Sequence, residues 1–217
     1  MNYKSLVDYS LYLVTERSFL KHLTLKEALR QALQGGVTLV QLREKEMDTR
    51  QFYDLAVEIK KCTDSFQVPL IINDRADLVL AVGAAGLHVG QSDLPVKIAR
   101  QILGKDKIIG ASVTSVTEAV EAEAAGADYL GAGAIFPTGT KKEAVAIGVS
   151  QLRKIKQAVK IPVIAIGGIN LQSLALLKGT NIDGIAVISA LLKSKEIEKT
   201  AREFKENIQR GIFFNEV

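Results

Sequence analysis

Apolar residues along the chain come in short, nearly continuous runs. Longer segments separate them, and there the apolar positions recur every three or four residues. The runs are "SLYLVTE" from Ser10, "VTLVQLRE" from Val37, "PLIIND" from Pro69, "AGLHVGQ" from Ala85, "KIIGASV" from Lys107, "YLGAGAIF" from Tyr129, "PVIAIGGI" from Pro162 and "GIAVIS" from Gly184. Strands covered on both faces read this way, because a parallel sheet wrapped in helices has no solvated side. The intervening "TLKEALRQALQGG", "TRQFYDLAVEIKKC", "SVTEAVEAEAAGA" and "SQLRKIKQAVK" carry the helical period instead. Gly35-Gly36 and Gly126 stand where helices end. Thr24, Asp48, Ser115 and Ser150 stand where an N-cap side chain would accept from the first turn.

Eight strand–helix alternations predict an α/β fold, a (β/α)8 TIM barrel formed by residues 1–217 as a single domain. The third helix, "ADLVLAVGA", has to be short. A doubly wound open sheet is the competing arrangement, but no glycine-rich fingerprint follows the first strand. "MNYKSLVDY", residues 1–9, reads as a short extension that forms a helix before the barrel. The tail from about residue 208 to 217, with "GIFFNEV", is compatible with packing and with fraying.

Composition narrows the class. The chain is 47% hydrophobic and 24% charged, enough apolar material for a large core. No apolar run reaches membrane-spanning length and no signal-peptide pattern opens the chain, so a cytoplasmic protein without a membrane partner is expected. The lone Cys62 cannot make an internal disulfide and reads as a buried or idle thiol. The net charge of +4 is spread over the helices with few aromatics beside it, which disfavours nucleic acid and suits small anionic ligands.

In such a barrel the chemistry gathers at the carboxyl ends of the strands. The second run ends in "QLREK": alternation puts Gln41, Arg43 and Lys45 on one side, Leu42 and Glu44 on the other. Arg43 and Lys45 form a fork and a point charge suited to phosphate, although such a run is equally a solvated turn. The third run ends in Asn73 and Asp74, followed by Arg75, which has acidic neighbours to pair with, and Asp77, a candidate cap. Asp93 lies just past the fourth run, and carboxylates on adjacent strand ends can share one Mg2+. His88 has no second histidine near it and reads as a structural residue; His22 has no motif around it. Ser112 ends the fifth run. Gly167-Gly168 and Ser189 follow the last two, the usual phosphate-binding corner of these barrels. "FPTGTKKEAVAIG", after the sixth run, is long and polar enough to close over both anion sites through Thr138 to Lys141.

"QLREK", "IINDRADL", "GLHVGQSD", "GAGAIFPTGTKK", "IPVIAIGGI" and "GIAVIS" together resemble, in order, the motifs of the thiamine-phosphate synthase (thiamine-phosphate pyrophosphorylase) family. The resemblance runs from about Tyr12 to about Ala190. The "EAVAIG" region lacks the prolines often found there. The resemblance implies a transferase of thiamine biosynthesis that joins 4-amino-2-methyl-5-(diphosphooxymethyl)pyrimidine to a (carboxy)thiazole phosphate. Thiamine monophosphate and pyrophosphate are the products, with CO2 from the carboxylated form. It implies one Mg2+ per subunit on Asp74 and Asp93. It assigns the pyrimidine diphosphate to Gln41, Leu42, Arg43, Glu44, Lys45, Asn73, Ser112 and Lys141, and the thiazole phosphate to Thr138, Gly139, Thr140, Gly168, Ile188 and Ser189. Lys141, Ser112 and Arg43 are then the catalytic candidates. Partners are small phosphorylated molecules; a homo-oligomer is left open. Two rivals remain: a thiazole tautomerase on the same barrel, which needs no metal site, and a silent sensor of a thiamine precursor.

Overall fold

A computed structural model describes residues 7–139, 145–211 and 213. Strands β1 (Leu11–Val14), β2 (Leu39–Leu42), β3 (Leu70–Asn73), β4 (Gly86–Val89), β5 (Ile108–Val113), β6 (Tyr129–Ala132), β7 (Val163–Ile166) and β8 (Gly184–Val187) pair in sequence order, all parallel. β8 pairs with β1 and closes the barrel, with Tyr12 level with Ala186. Closure excludes the open doubly wound sheet.

Helices α1 (Leu25–Gln34), α2 (Thr49–Ser65), α3 (Ala76–Val82), α4 (Val96–Leu103), α5 (Val116–Ala124) and α6 (Gly148–Ala158) follow the first six strands. A 3-10 turn, Ser173–Leu177, follows β7, and β8 leads into the short α7 (Ser189–Leu192) and then α8 (Ile197–Gln209). Thr24, Asp48 and Ser115 accept from the backbone N–H groups of Glu27, Gln51 and Glu118, the caps their positions predict. Thr24 and Glu27 form a reciprocal capping box. Two expected caps fail. α6 begins at Gly148, so Ser150 lies inside its first turn. Asp77 lies inside α3, where Arg75 grips both its carboxylate oxygens at 2.9 and 2.6 Å.

The period-two pattern of the strands divides the core. Leu11, Leu13, Val40, Leu42 and Ile72 face the helices, where they meet the apolar stripes of α1 and α2. Tyr12, Val14, Leu39, Ile71, Ile108, Tyr129 and Ile164 fill the barrel interior. Tyr9 packs there as well, its ring 5.2 Å from that of Tyr129. Of the first nine residues, 7–9 form no helix and 1–6 lie outside the described residues. The tail packs at Phe213, which is 3% exposed and accepts from the Asn181 N–H. Among the described residues no helix is long and apolar enough to cross a membrane.

Candidate active site

A cavity of about 750 Å³ opens at the carboxyl ends of the strands. Gln41, Arg43 and Lys45 line it together, because alternation along β2 and its extension sends every second side chain inward. Leu42 is fully buried in the outer core, and Glu44 is ion-paired with Arg17 at 2.8 Å on the other side. Burial pushes the Glu44 carboxyl up while Arg17 pulls it down. The side chains of Leu42 and Glu44 are therefore turned away from the cavity. Arg43 carries a salt bridge to Glu16 at 3.0 Å. Lys45 is ion-paired with Asp74.

Asp74 takes a left-handed backbone (φ 62°), a conformation aspartate tolerates better than most side chains, and its N–H donates to His88 at 2.9 Å. Register sets β3 beside β4, Asn73 level with His88, and this brings the Asp74 carboxyl against that of Asp93. Burial pushes the Asp74 carboxyl above its ordinary value; Lys45 opposes the rise and Asp93 adds to it. Asp93 itself caps the loop by accepting from the Gly90 N–H at 2.8 Å. Among the described residues no cluster of three or more His, Cys, Asp and Glu exists, so a cation here would meet two protein carboxylates at most. Beside them Asn73 is 7% exposed and its Nδ2 is buried without a partner. An orphaned buried donor is costly unless a ligand oxygen meets it.

Gly168, after β7, and Ile188 and Ser189, after β8, line the same cavity, as does Thr138. The glycine pair has a packing reason beyond ligand access. The segment after β6 runs along the end of β7, with Phe136 N–H donating to Gly167 at 3.1 Å. A Cβ on Gly168 (φ 69°) would lie 2.7 Å from both Phe136 Cβ and Pro137 O. Gly139 stands clear of its surroundings, and Thr140 and Lys141 lie outside the described residues.

Sequence reasoning missed the cavity floor. Tyr12 and His88 line it, and Tyr129 lies directly beneath. The tyrosines read as strand hydrophobes; their hydroxyls in inward positions were the available signal. His88 is hydrogen-bonded at both nitrogens, to Tyr129 Oη and Ser112 Oγ, each at 2.9 Å, which fits the structural reading and leaves neither nitrogen for a metal. Gln91 also lines the cavity and donates to the Ser112 carbonyl at 2.6 Å.

A family model described as thiamine monophosphate synthase matches residues 11–191. The chain belongs to that family. Thiamine-phosphate synthase of Clostridium acetobutylicum is 54% identical to it over 205 residues, which is 94% of this chain and 97% of that one. The Clostridium tetani thiamine-phosphate synthase is 51% identical over 210 residues, covering 97% of this chain and 98% of that one. The solved thiamine phosphate pyrophosphorylase of Pyrococcus furiosus superposes with a TM-score of 0.87 at 41% identity, over 94% of this chain and 97% of its own. At 16% identity, KGPDC of Streptococcus mutans (TM-score 0.66) shares the barrel alone, over 93% of this chain and 98% of its own. The six sequence motifs quoted above all fall inside the stretch that the thiamine monophosphate synthase model matches.

Proposed function

We propose that this member of the family is a thiamine-phosphate synthase and that its cavity holds both substrates at once. The pyrimidine diphosphate lies toward Gln41, Arg43, Lys45, Asn73 and Ser112. The thiazole phosphate lies toward Thr138, Gly168, Ile188 and Ser189. The observation that carries this reading is the orphaned Asn73 amide beside the facing Asp74 and Asp93 carboxylates. That corner offers a donor and a cation seat to one diphosphate.

Two oxygen ligands from adjacent strands, with room for substrate and water, fit Mg2+. Lys45 already neutralises Asp74 from one side, and the like charge of Asp93 opposite favours a further cation. Bound there, Mg2+ would neutralise diphosphate oxygens as the leaving group departs. The residues do the rest. Lys45 and Arg43 place positive charge along the diphosphate, and Asn73 donates a hydrogen bond to it. The bond between the pyrimidine methylene carbon and the diphosphate oxygen breaks, its electron pair leaving with pyrophosphate. The thiazole nitrogen supplies its lone pair to the same carbon. The aminopyrimidine spreads the positive charge in between. No general base is needed, so electrostatic stabilisation of the leaving group is the main demand on the site. Lys141, outside the described residues, is assigned here to that same charge.

The test is incubation with both substrates and Mg2+, measuring pyrophosphate and thiamine monophosphate together. Stoichiometric release of both supports the synthase. Isomerised thiazole without pyrophosphate would make the chain a tautomerase, and binding without turnover a sensor.

A further inference from the structure

Five side chains from five strands form a continuous line under the cavity. Gln41 Nε2 donates to Tyr12 Oη at 2.8 Å. Tyr12 Oη meets Tyr129 Oη at 2.8 Å. Tyr129 Oη meets His88 Nδ1 at 2.9 Å, and His88 Nε2 meets Ser112 Oγ at 2.9 Å. Tyr12, Gln41 and His88 are 2, 3 and 8% exposed, and Tyr129 is fully buried.

Proton counting gives the line a direction. A phenol carries one proton and a neutral imidazole one N–H. Burial pushes both phenols far above their ordinary range, so both keep their protons. Tyr12 Oη receives a proton from Gln41, and Tyr129 Oη is its remaining partner among the described residues, so it donates to Tyr129. Tyr129 must then donate to His88 Nδ1. The imidazole proton sits on Nε2 and points at Ser112, which leaves the Ser112 hydroxyl proton for the cavity. At the other end Gln41 has spent one of its two N–H groups on Tyr12, which fixes the orientation of the amide and leaves the carbonyl Oε1 as its acceptor for a ligand.

We propose that Tyr129, with Tyr12 and His88 carrying the line to its ends, is a positioning residue that fixes Gln41 as an acceptor and Ser112 as a donor toward the cavity. Reversing either end requires every link to reverse, so the two ends are set together. The ligand selected is a heterocycle that offers an amino donor to Gln41 and an acceptor to Ser112; its oxo analogue presents an acceptor to an acceptor. This rests on the pyrimidine reading above and extends it to how an aminopyrimidine is told from an oxopyrimidine. A mismatched buried pair leaves both polar groups unpaired, so a site built on hydrogen bonds discriminates strongly.

Calorimetry with the 4-amino and 4-oxo forms of 2-methylpyrimidine-5-methyl phosphate tests it, since neither monophosphate can release pyrophosphate. Wild type is expected to hold the amino form at least tenfold more tightly. Tyr129→Phe cuts the line in the middle and frees the Gln41 amide to turn; the preference should fall to within about threefold, with the amino form losing affinity and the oxo form not. Tyr12→Phe, which removes a different link, should do the same and serves if Tyr129→Phe folds poorly. Equal weakening of both ligands with the ratio kept, in either folded variant, makes the line mere packing and overturns the proposal. Wild type with synthase activity but no preference overturns it too, while leaving the function intact. Absence of synthase activity together with absence of binding removes the pyrimidine reading itself, and this proposal with it.

Discussion

Gly110 and Tyr129 share one place in the barrel: a Cβ on Gly110 would lie 2.0 Å from Tyr129 Cζ. The two residues are level across the β5–β6 pair, so the missing side chain is what admits the ring to the barrel axis. Gly110→Ala should therefore destabilise the fold by about 1–3 kcal/mol, the usual range for overpacking a dense core. Urea midpoints check it. In a Tyr129→Leu background the same substitution should cost less, because the clashing ring atoms are gone, and a double-mutant cycle measures the difference. Additive losses would contradict the contact.

The facing Asp74 and Asp93 carboxylates separate metal dependence from stability. Asp74→Asn removes half of a like-charged pair from a half-buried corner, where burial already pushes that carboxyl up. The variant should keep or raise its metal-free melting temperature. Its Mg2+ requirement for pyrophosphate release should rise at least tenfold, as one of two carboxylate ligands is lost. Titrating Mg2+ against rate and against thermal shift reads both effects. Unchanged activity in excess chelator would sink the assignment.

Arg43 follows β2 and Ser189 follows β8, two strands apart on the rim of one cavity, and each is assigned a different phosphate, so their losses should not be interchangeable. Arg43→Ala is expected to weaken pyrimidine-diphosphate binding by roughly tenfold or more, the weight of a charge-assisted hydrogen bond, and to leave the thiazole phosphate nearly unaffected. Ser189→Ala should show the opposite pattern. Calorimetry with each ligand alone measures it; matching losses for both ligands would mean that the two anion positions are not distinct. Arg43→Ala also frees Glu16, which adds a repulsive carboxylate to the same corner and enlarges the effect.

Periodicity made the architecture legible because each barrel strand is buried on both faces and each helix on one. The strand-end rule brought Gln41, Arg43, Lys45, Asn73, Asp93, Ser112, Gly168 and Ser189 to one cavity, since the parallel register stacks all eight strand ends at one rim. The side chains of Leu42 and Glu44 are not among those lining it, because a motif is contiguous while a strand alternates. The floor stayed hidden for a different reason. Tyr12 and Tyr129 sit in runs whose apolar character explains their burial, and only the closed barrel brings β1 and β6 within reach of each other. The caps at Ser150 and Asp77 failed for different reasons: Ile147 N–H donates to Ala134 at 2.8 Å just before α6 begins, whereas Arg75, only two residues away, claims the Asp77 carboxylate.

Cys62 gives a pH dependence whose sign is fixed. The thiol is 9% exposed on the buried face of α2, and burial pushes it above its ordinary value of 9.0 although Lys26 and Arg30 pull it down. Raising a thiol pKa lowers the thiolate fraction at every pH below it, so iodoacetamide should modify the folded protein at pH 8 far more slowly than the urea-unfolded chain. The same shift acts on stability. The unfolded thiol ionises first, so the contribution is fully present below the unfolded value and is lost as pH rises through the folded one. Urea midpoints at pH 8 and pH 9.5 should therefore fall more steeply for wild type than for Cys62→Ala, which has no thiol to ionise. Lys107, whose ammonium is pushed down by burial, titrates in the same direction in both proteins and drops out of the difference. Equal slopes for the two proteins would mean that the Cys62 thiol is not held up by the fold.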